Sequence, residues 1–124
     1  MAGRFPLYLD ADIHGPVVEP VVEGLLRAGW DVVRAVDRYP QGTDDLVHFE
    51  RAARDGRVVV SNDSDIRVIA EGWLAGGRSF RGLVWWPRRQ YARMSAGDIL
   101  TFFEDLALRE DPFAEYPIIF VRPA

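Results

Sequence analysis

Short apolar runs alternate with stretches of helical period along the chain, and a turn or capping residue marks most switches. Phe5 to Leu9 reads as a strand that ends at Asp10. Val18, Val21, Val22, Leu25 and Leu26 recur at helical spacing. A helix is therefore predicted over Val17 to Ala28, with Pro20 in its first turn and Gly29 closing it. Asp31 to Val36 is a second strand, and Tyr39 to Gly42 a turn. Thr43 then caps a helix over Asp44 to Asp55, with Leu46, Val47, Phe49, Ala52 and Ala53 inward and Gly56 at its end. Val58 to Val60 is the third strand. Asp63 or Ser64 caps a helix that runs to Leu74 and stops at Gly76 and Gly77. Gly82 to Trp86 is the fourth strand, halted by Pro87. Ser95 caps a long helix, Ala96 to Arg109, whose apolar face is Ile99, Leu100, Phe103, Leu106 and Ala107. Tyr116 to Val121 is a fifth strand.

Strand alternating with helix implies an α/β fold with a mostly parallel sheet covered on both faces. Such sheets bind ligands beyond the carboxyl ends of their strands, where the strand order reverses. Asp10 and Asp12 follow the first strand, and Asp63 and Asp65 follow the third. A strand order of 2-1-3-4 brings these four carboxylates to one edge, with the short fifth strand expected antiparallel at the border. At 124 residues the chain has the size of one domain.

Charge adds a second feature. The net charge is −4, and all 15 basic residues are Arg. Without Lys there is no Schiff-base chemistry and no phosphate-loop lysine. Without Cys there is no thiolate metal site and no Cys nucleophile. From Gly72 to Gly97 no acidic residue occurs, while Arg78, Arg81, Arg88, Arg89 and Arg93 do, which predicts one basic face on an acidic protein. No apolar run approaches the length of a membrane span, and carboxylates come too early for a secretory signal. The expected location is the cytoplasm, away from membranes.

Taken singly, Asp10, Asp44 and Asp63 are ordinary helix caps. Taken together, carboxylates crowded at one sheet edge repel, and a cation removes the repulsion. An all-oxygen donor set suits Mg²⁺ or Mn²⁺ better than Zn²⁺. Acidic Mg²⁺ sites serve phosphate chemistry. Haloacid-dehalogenase phosphatases and response-regulator receivers also hold acids at strand ends, but both use a lysine, which this chain lacks. PIN-type nucleases need only acids and metal.

Three phrases carry a wider likeness: Asp10-Ala11-Asp12 after the first strand, LLRAGWDV from Leu25 to Val32, and DDLVHFERAARDGRVVVSNDSDI from Asp44 to Ile66. Over about residues 5 to 86 the chain resembles the PIN-like family known as DUF5615, related to the toxins of toxin–antitoxin pairs. The resemblance implies a PIN-like three-layer sandwich and a metal-dependent endoribonuclease acting on single-stranded RNA. It also implies a catalytic centre of Asp10, Asp44, Asp63 and Asp65, with Mg²⁺ or Mn²⁺ held by Asp10, Asp12, Asp44 and Asp63, and a cognate antitoxin as partner. Ala11 stands where the family has an acid, Asp12 where Asn is usual, and Ile66 where an aromatic is usual. The first of these motivates an alternative, a non-catalytic PIN-like module that binds RNA or protein.

Thr43, Ser61 and Asn62 are spaced to cap helices or to hydrogen-bond the acids from behind. His14 reads as a loop histidine. His48, four residues after Asp44, reads either as a wall of the site or as a surface residue. Trp86, Arg88, Arg89, Tyr91 and Arg93 interleave guanidinium and aromatic groups, a composition suited to single-stranded RNA. The alternative for the tryptophans is core packing or a partner contact. The apolar Tyr116 to Val121 edge needs a cover, for which a homodimer is one candidate.

Overall fold

A computed structural model describes residues 3–10, 18–38, 42–86 and 93–121. Five strands form one parallel sheet: β1 (Leu7–Leu9), β2 (Val32–Arg34), β3 (Val58–Ser61), β4 (Gly82–Trp85) and β5 (Ile118–Phe120). Their order is β2-β1-β3-β4-β5, as the carboxylate argument requires. The helices are α1 (Val18–Arg27), the single-turn α2 (Ala35–Arg38), α3 (Asp45–Arg54), α4 (Ser64–Ala75) and α5 (Ala96–Leu108).

The alternation of side chains along each strand divides the core in two. Leu7, Leu9, Val58, Val60 and Val84 face α1 and α5, where Val21, Leu25, Ile99 and Phe103 meet them. Tyr8, Val33, Val59, Leu83 and Ile118 face α3 and α4, where Phe49, Ala52, Ile66, Ala70 and Trp73 meet them. The result is a three-layer α/β sandwich. Each large aliphatic or aromatic side chain so buried contributes roughly 1.5–3 kcal/mol.

β5 departs from expectation. It pairs with β4 in parallel, Leu83 opposite Ile118 and Trp85 opposite Phe120. The reason is α5. Its 13 residues, about 20 Å of helix, carry the chain back to the amino end of the sheet before β5 begins. Ser95 and Asp98 start that helix with a reciprocal capping box, satisfying two backbone donors at its first turn.

α3 also differs from its predicted orientation. Its buried residues are His48, Phe49 and Ala52, whereas Leu46 and Val47 are exposed. The buried stripe is therefore 45, 48, 49 and 52, rotated from the one read off the apolar residues. Phe49 sets this rotation by meeting Trp73 and Phe80 edge-on at 4.8 and 5.0 Å. His48 is tolerated inside because its Nδ1 is hydrogen-bonded to the Tyr8 hydroxyl at 2.7 Å. The helix also starts one residue later than predicted, with Asp44 and not Thr43 at the N-cap.

Candidate metal centre

The carboxyl ends of β1 and β3 and the first turns of α3 and α4 meet at one point. Asp10, directly after β1, is 3% exposed, and its N–H donates to the Val60 carbonyl at 3.0 Å. This bond extends the sheet by one residue and holds Asp10 rigidly. Asp63 is the N-cap of α4, and its Oδ1 accepts the Asp65 N–H at 2.9 Å. Asp45 is the first residue of α3 and half-buried. One carboxylate oxygen from each of Asp10, Asp45 and Asp63 lies within 4.8 Å of the others.

Ser61 ties two of these acids together. It is wholly buried, its Oγ donates to Asp10 Oδ2 at 2.8 Å, and it accepts the Asp63 N–H at 3.0 Å. Of the two roles its position suggested, capping a helix or hydrogen-bonding the acids, these bonds are of the second kind. Asn62 is buried too, and its Oδ1 has no hydrogen-bond partner among the described residues. Thr43 is half-buried, two residues before Asp45.

The electrostatics follow from the crowding. Asp45 is raised from the ordinary 3.8 to about 6. Burial is the largest cause, followed by the charges of Asp63 and Asp10, a side-chain hydrogen bond with Asp63, and the charge of Asp65. The positive ends of α3 and α4 point the other way, favouring carboxylates at their N-termini, yet the crowding prevails. A divalent cation would replace the proton as the neutralising charge.

The donor set fits such an ion. Ligand oxygens of one octahedral Mg²⁺, at about 2.1 Å from it, span no more than about 4.2 Å. The three carboxylate oxygens lie within 4.8 Å of one another, a spacing of the same order. Asp10, Asp45 and Asp63 thus lie close enough together to hold a metal ion.

The expected residues distribute unevenly around this centre. Asp10 and Asp63 belong to it. Asp44 is exposed on the outer side of the α3 N-terminus, and its neighbour Asp45 occupies the inward position. Asp65 is exposed and outside the trio, though its charge reaches Asp45. Asp12, together with Ala11 and His14, lies outside the described residues. So do Arg88, Arg89 and Tyr91. Arg93 is exposed. Trp86 does not offer a face to a base: it is 1% exposed, and its ring packs against Phe102 and Phe103. Its Nε1 donates to the Met94 sulfur at 3.0 Å. Strand alternation explains the difference, since it sends Trp86 into the α1/α5 core and leaves Trp85 half-buried on the other face.

Asp45 was the residue missed. It stands in the same phrase as Asp44 and four residues before Phe49, so a stripe anchored on Phe49 and Ala52 would have found it. Compared with protein-family models, curated proteins and solved structures, the chain matches none. Among the described residues no helix is long and apolar enough to cross a membrane.

Proposed function

We propose that this protein is a PIN-like, divalent-metal-dependent endoribonuclease for single-stranded RNA, acting as the toxin of a toxin–antitoxin pair. The observation that carries the reading is the convergence of Asp10, Asp45 and Asp63 at the carboxyl edge of a parallel sheet. The strand order reverses between β1 and β3, which is where open α/β sheets receive their ligands. The acids sit on rigid supports: a sheet-bonded strand end and two helix starts.

In this reading Asp10, Asp45 and Asp63 hold Mg²⁺ or Mn²⁺. The ion supplies Lewis-acid polarisation of a phosphoryl oxygen and charge to stabilise the departing oxygen. Ser61 keeps the Asp10 carboxylate oriented by donating to Oδ2. Asp45, whose carboxyl is pushed up to about 6 by burial and by the charges of Asp63 and Asp10, would give up that proton to hold the ion.

The test compares wild type with Asp10→Asn, Asp45→Asn, Asp63→Asn and Asp44→Asn, all purified identically. Mn²⁺-dependent cleavage of single-stranded RNA is expected to vanish in the first three and to persist in Asp44→Asn. Expression of wild type, and not of Asp10→Asn, is expected to arrest growth. Equal cleavage by wild type and Asp10→Asn would leave a non-catalytic binding module as the better account.

A further inference from the structure

Beside the acids, on the helix that follows Asp63, a guanidinium is held in place without a side-chain hydrogen bond among the described residues. Arg67 lies one turn into α4, its backbone N–H donating to the Asp63 carbonyl at 3.4 Å. Its guanidinium carbon sits 4.7 Å from the centre of the Trp85 ring. Trp85 is itself fixed twice. Its Nε1 donates to the Asp63 carbonyl at 3.1 Å, and its ring meets Phe120 edge-on at 5.8 Å.

Among the described residues Arg67 makes one ion pair, Nε to Glu71 at 3.4 Å. The geometry is not that of a hydrogen bond, for Nε remains buried without a hydrogen-bond partner. No hydrogen bond joins its terminal nitrogens to any described residue. An arginine serving only to bridge Glu71 would present its planar fork to both carboxylate oxygens. Here the fork lies on an indole instead, and the Arg67 side chain is 37% exposed.

We propose that Arg67, seated on Trp85, binds the phosphate next to the one held at the acids, so that an RNA strand crosses the carboxyl ends of β1, β3 and β4 in turn. This rests on the nuclease reading above and adds the path of the substrate. β3 and β4 are adjacent, so the Trp85 seat is one strand spacing, about 5 Å, further from Asp10 than Asp63 is. The cation is thus offset from the acids. It neither pairs with them nor competes for their metal. A guanidinium whose terminal N–H groups have no partner among the described residues is suited to a phosphodiester, which guanidinium groups bind in bidentate fashion.

The probe is a short labelled 2′-O-methyl oligouridine, resistant to cleavage, titrated by fluorescence anisotropy in Mg²⁺ across a salt series. Arg67→Ala is expected to weaken binding about tenfold. It should also reduce the slope of log affinity against log salt by about 0.7, the single-strand value for one phosphate. Arg67→Lys should keep the slope and lose part of the affinity, because an ammonium stacks poorly on the indole. Exposed Arg27, in the last turn of α1 at the opposite end of the sheet, supplies the control Arg27→Ala, with affinity and slope unchanged. Circular dichroism checks folding, and Arg67→Lys carries the test if Arg67→Ala unfolds. If wild type binds and Arg67→Ala matches it in affinity and slope, this proposal fails alone, and Arg67 is a structural partner of Trp85. Should wild type not bind the oligomer at all, the RNA reading itself fails and takes this proposal with it.

Discussion

Asp45→Asn separates a metal centre from three helix-start carboxylates that merely happen to be close. Asp45 holds its proton more tightly in the folded protein than in the unfolded chain, about 6 against 3.8. Between those values the native state carries the extra proton, so this group's contribution makes stability fall as pH rises. The penalty is absent below the lower value and complete above the upper one. Its ceiling is about 3 kcal/mol. Asp45 is half-exposed, and solvent screening brings the effect to ~1–1.5 kcal/mol. Asparagine removes that penalty but also forfeits a carboxylate at the α3 N-terminus, worth ~0.5 kcal/mol. The net gain in the metal-free protein is therefore ~0.5–1 kcal/mol, or about 2–4 °C in melting temperature for a chain of this size. The gain should be present near pH 8 and should shrink as pH falls towards about 4. Saturating Mn²⁺ reverses the order. At a hundredfold excess over Kd it adds about 2.7 kcal/mol to wild type, close to 10 °C, and much less to the variant. The assay is differential scanning fluorimetry in chelator and in Mn²⁺ across pH. A variant that melts lower than wild type at every pH, with its Mn²⁺ increment intact, would refute the reasoning and make Asp45 a simple helix-start residue.

Two further outcomes follow from the same geometry. Because Asp45 must lose its proton to accept an ion, Mn²⁺ affinity measured by calorimetry should fall by up to about tenfold per pH unit below about 6 and level off above it; a flat profile from pH 5 to 8 would exclude Asp45 as a ligand. Tyr8→Phe deletes one side of the buried Tyr8–His48 hydrogen bond and should cost roughly 1–3 kcal/mol in urea unfolding, with a cost near zero showing that the bond does not hold α3 in its rotation.

What the sequence determined by itself was most of what local period and capping carry, the rotation and cap of α3 excepted. Of the two caps offered for α4, Asp63 and Ser64, the first is used, and the alternation of strand and helix and the Ser95 start of α5 are as read. So is the placing of Asp10 and Asp63 together, which needed only parallel strands and the order β2-β1-β3-β4. Tertiary structure decided what local signals leave degenerate. Neighbouring helix residues point about 100° apart, so choosing between Asp44 and Asp45 required knowing how α3 rotates. That rotation is set by Phe49 against Trp73 and Phe80 and by His48 against Tyr8, contacts made across the fold. In the same way, neighbouring strand residues face opposite layers. Only the pairing of β4 with β3 and β5 determined that Trp86 enters the core while Trp85 supports Arg67. β5 runs parallel because the length of α5 returns the chain to the amino end of the sheet, a constraint of chain path that no period in Tyr116 to Val121 records.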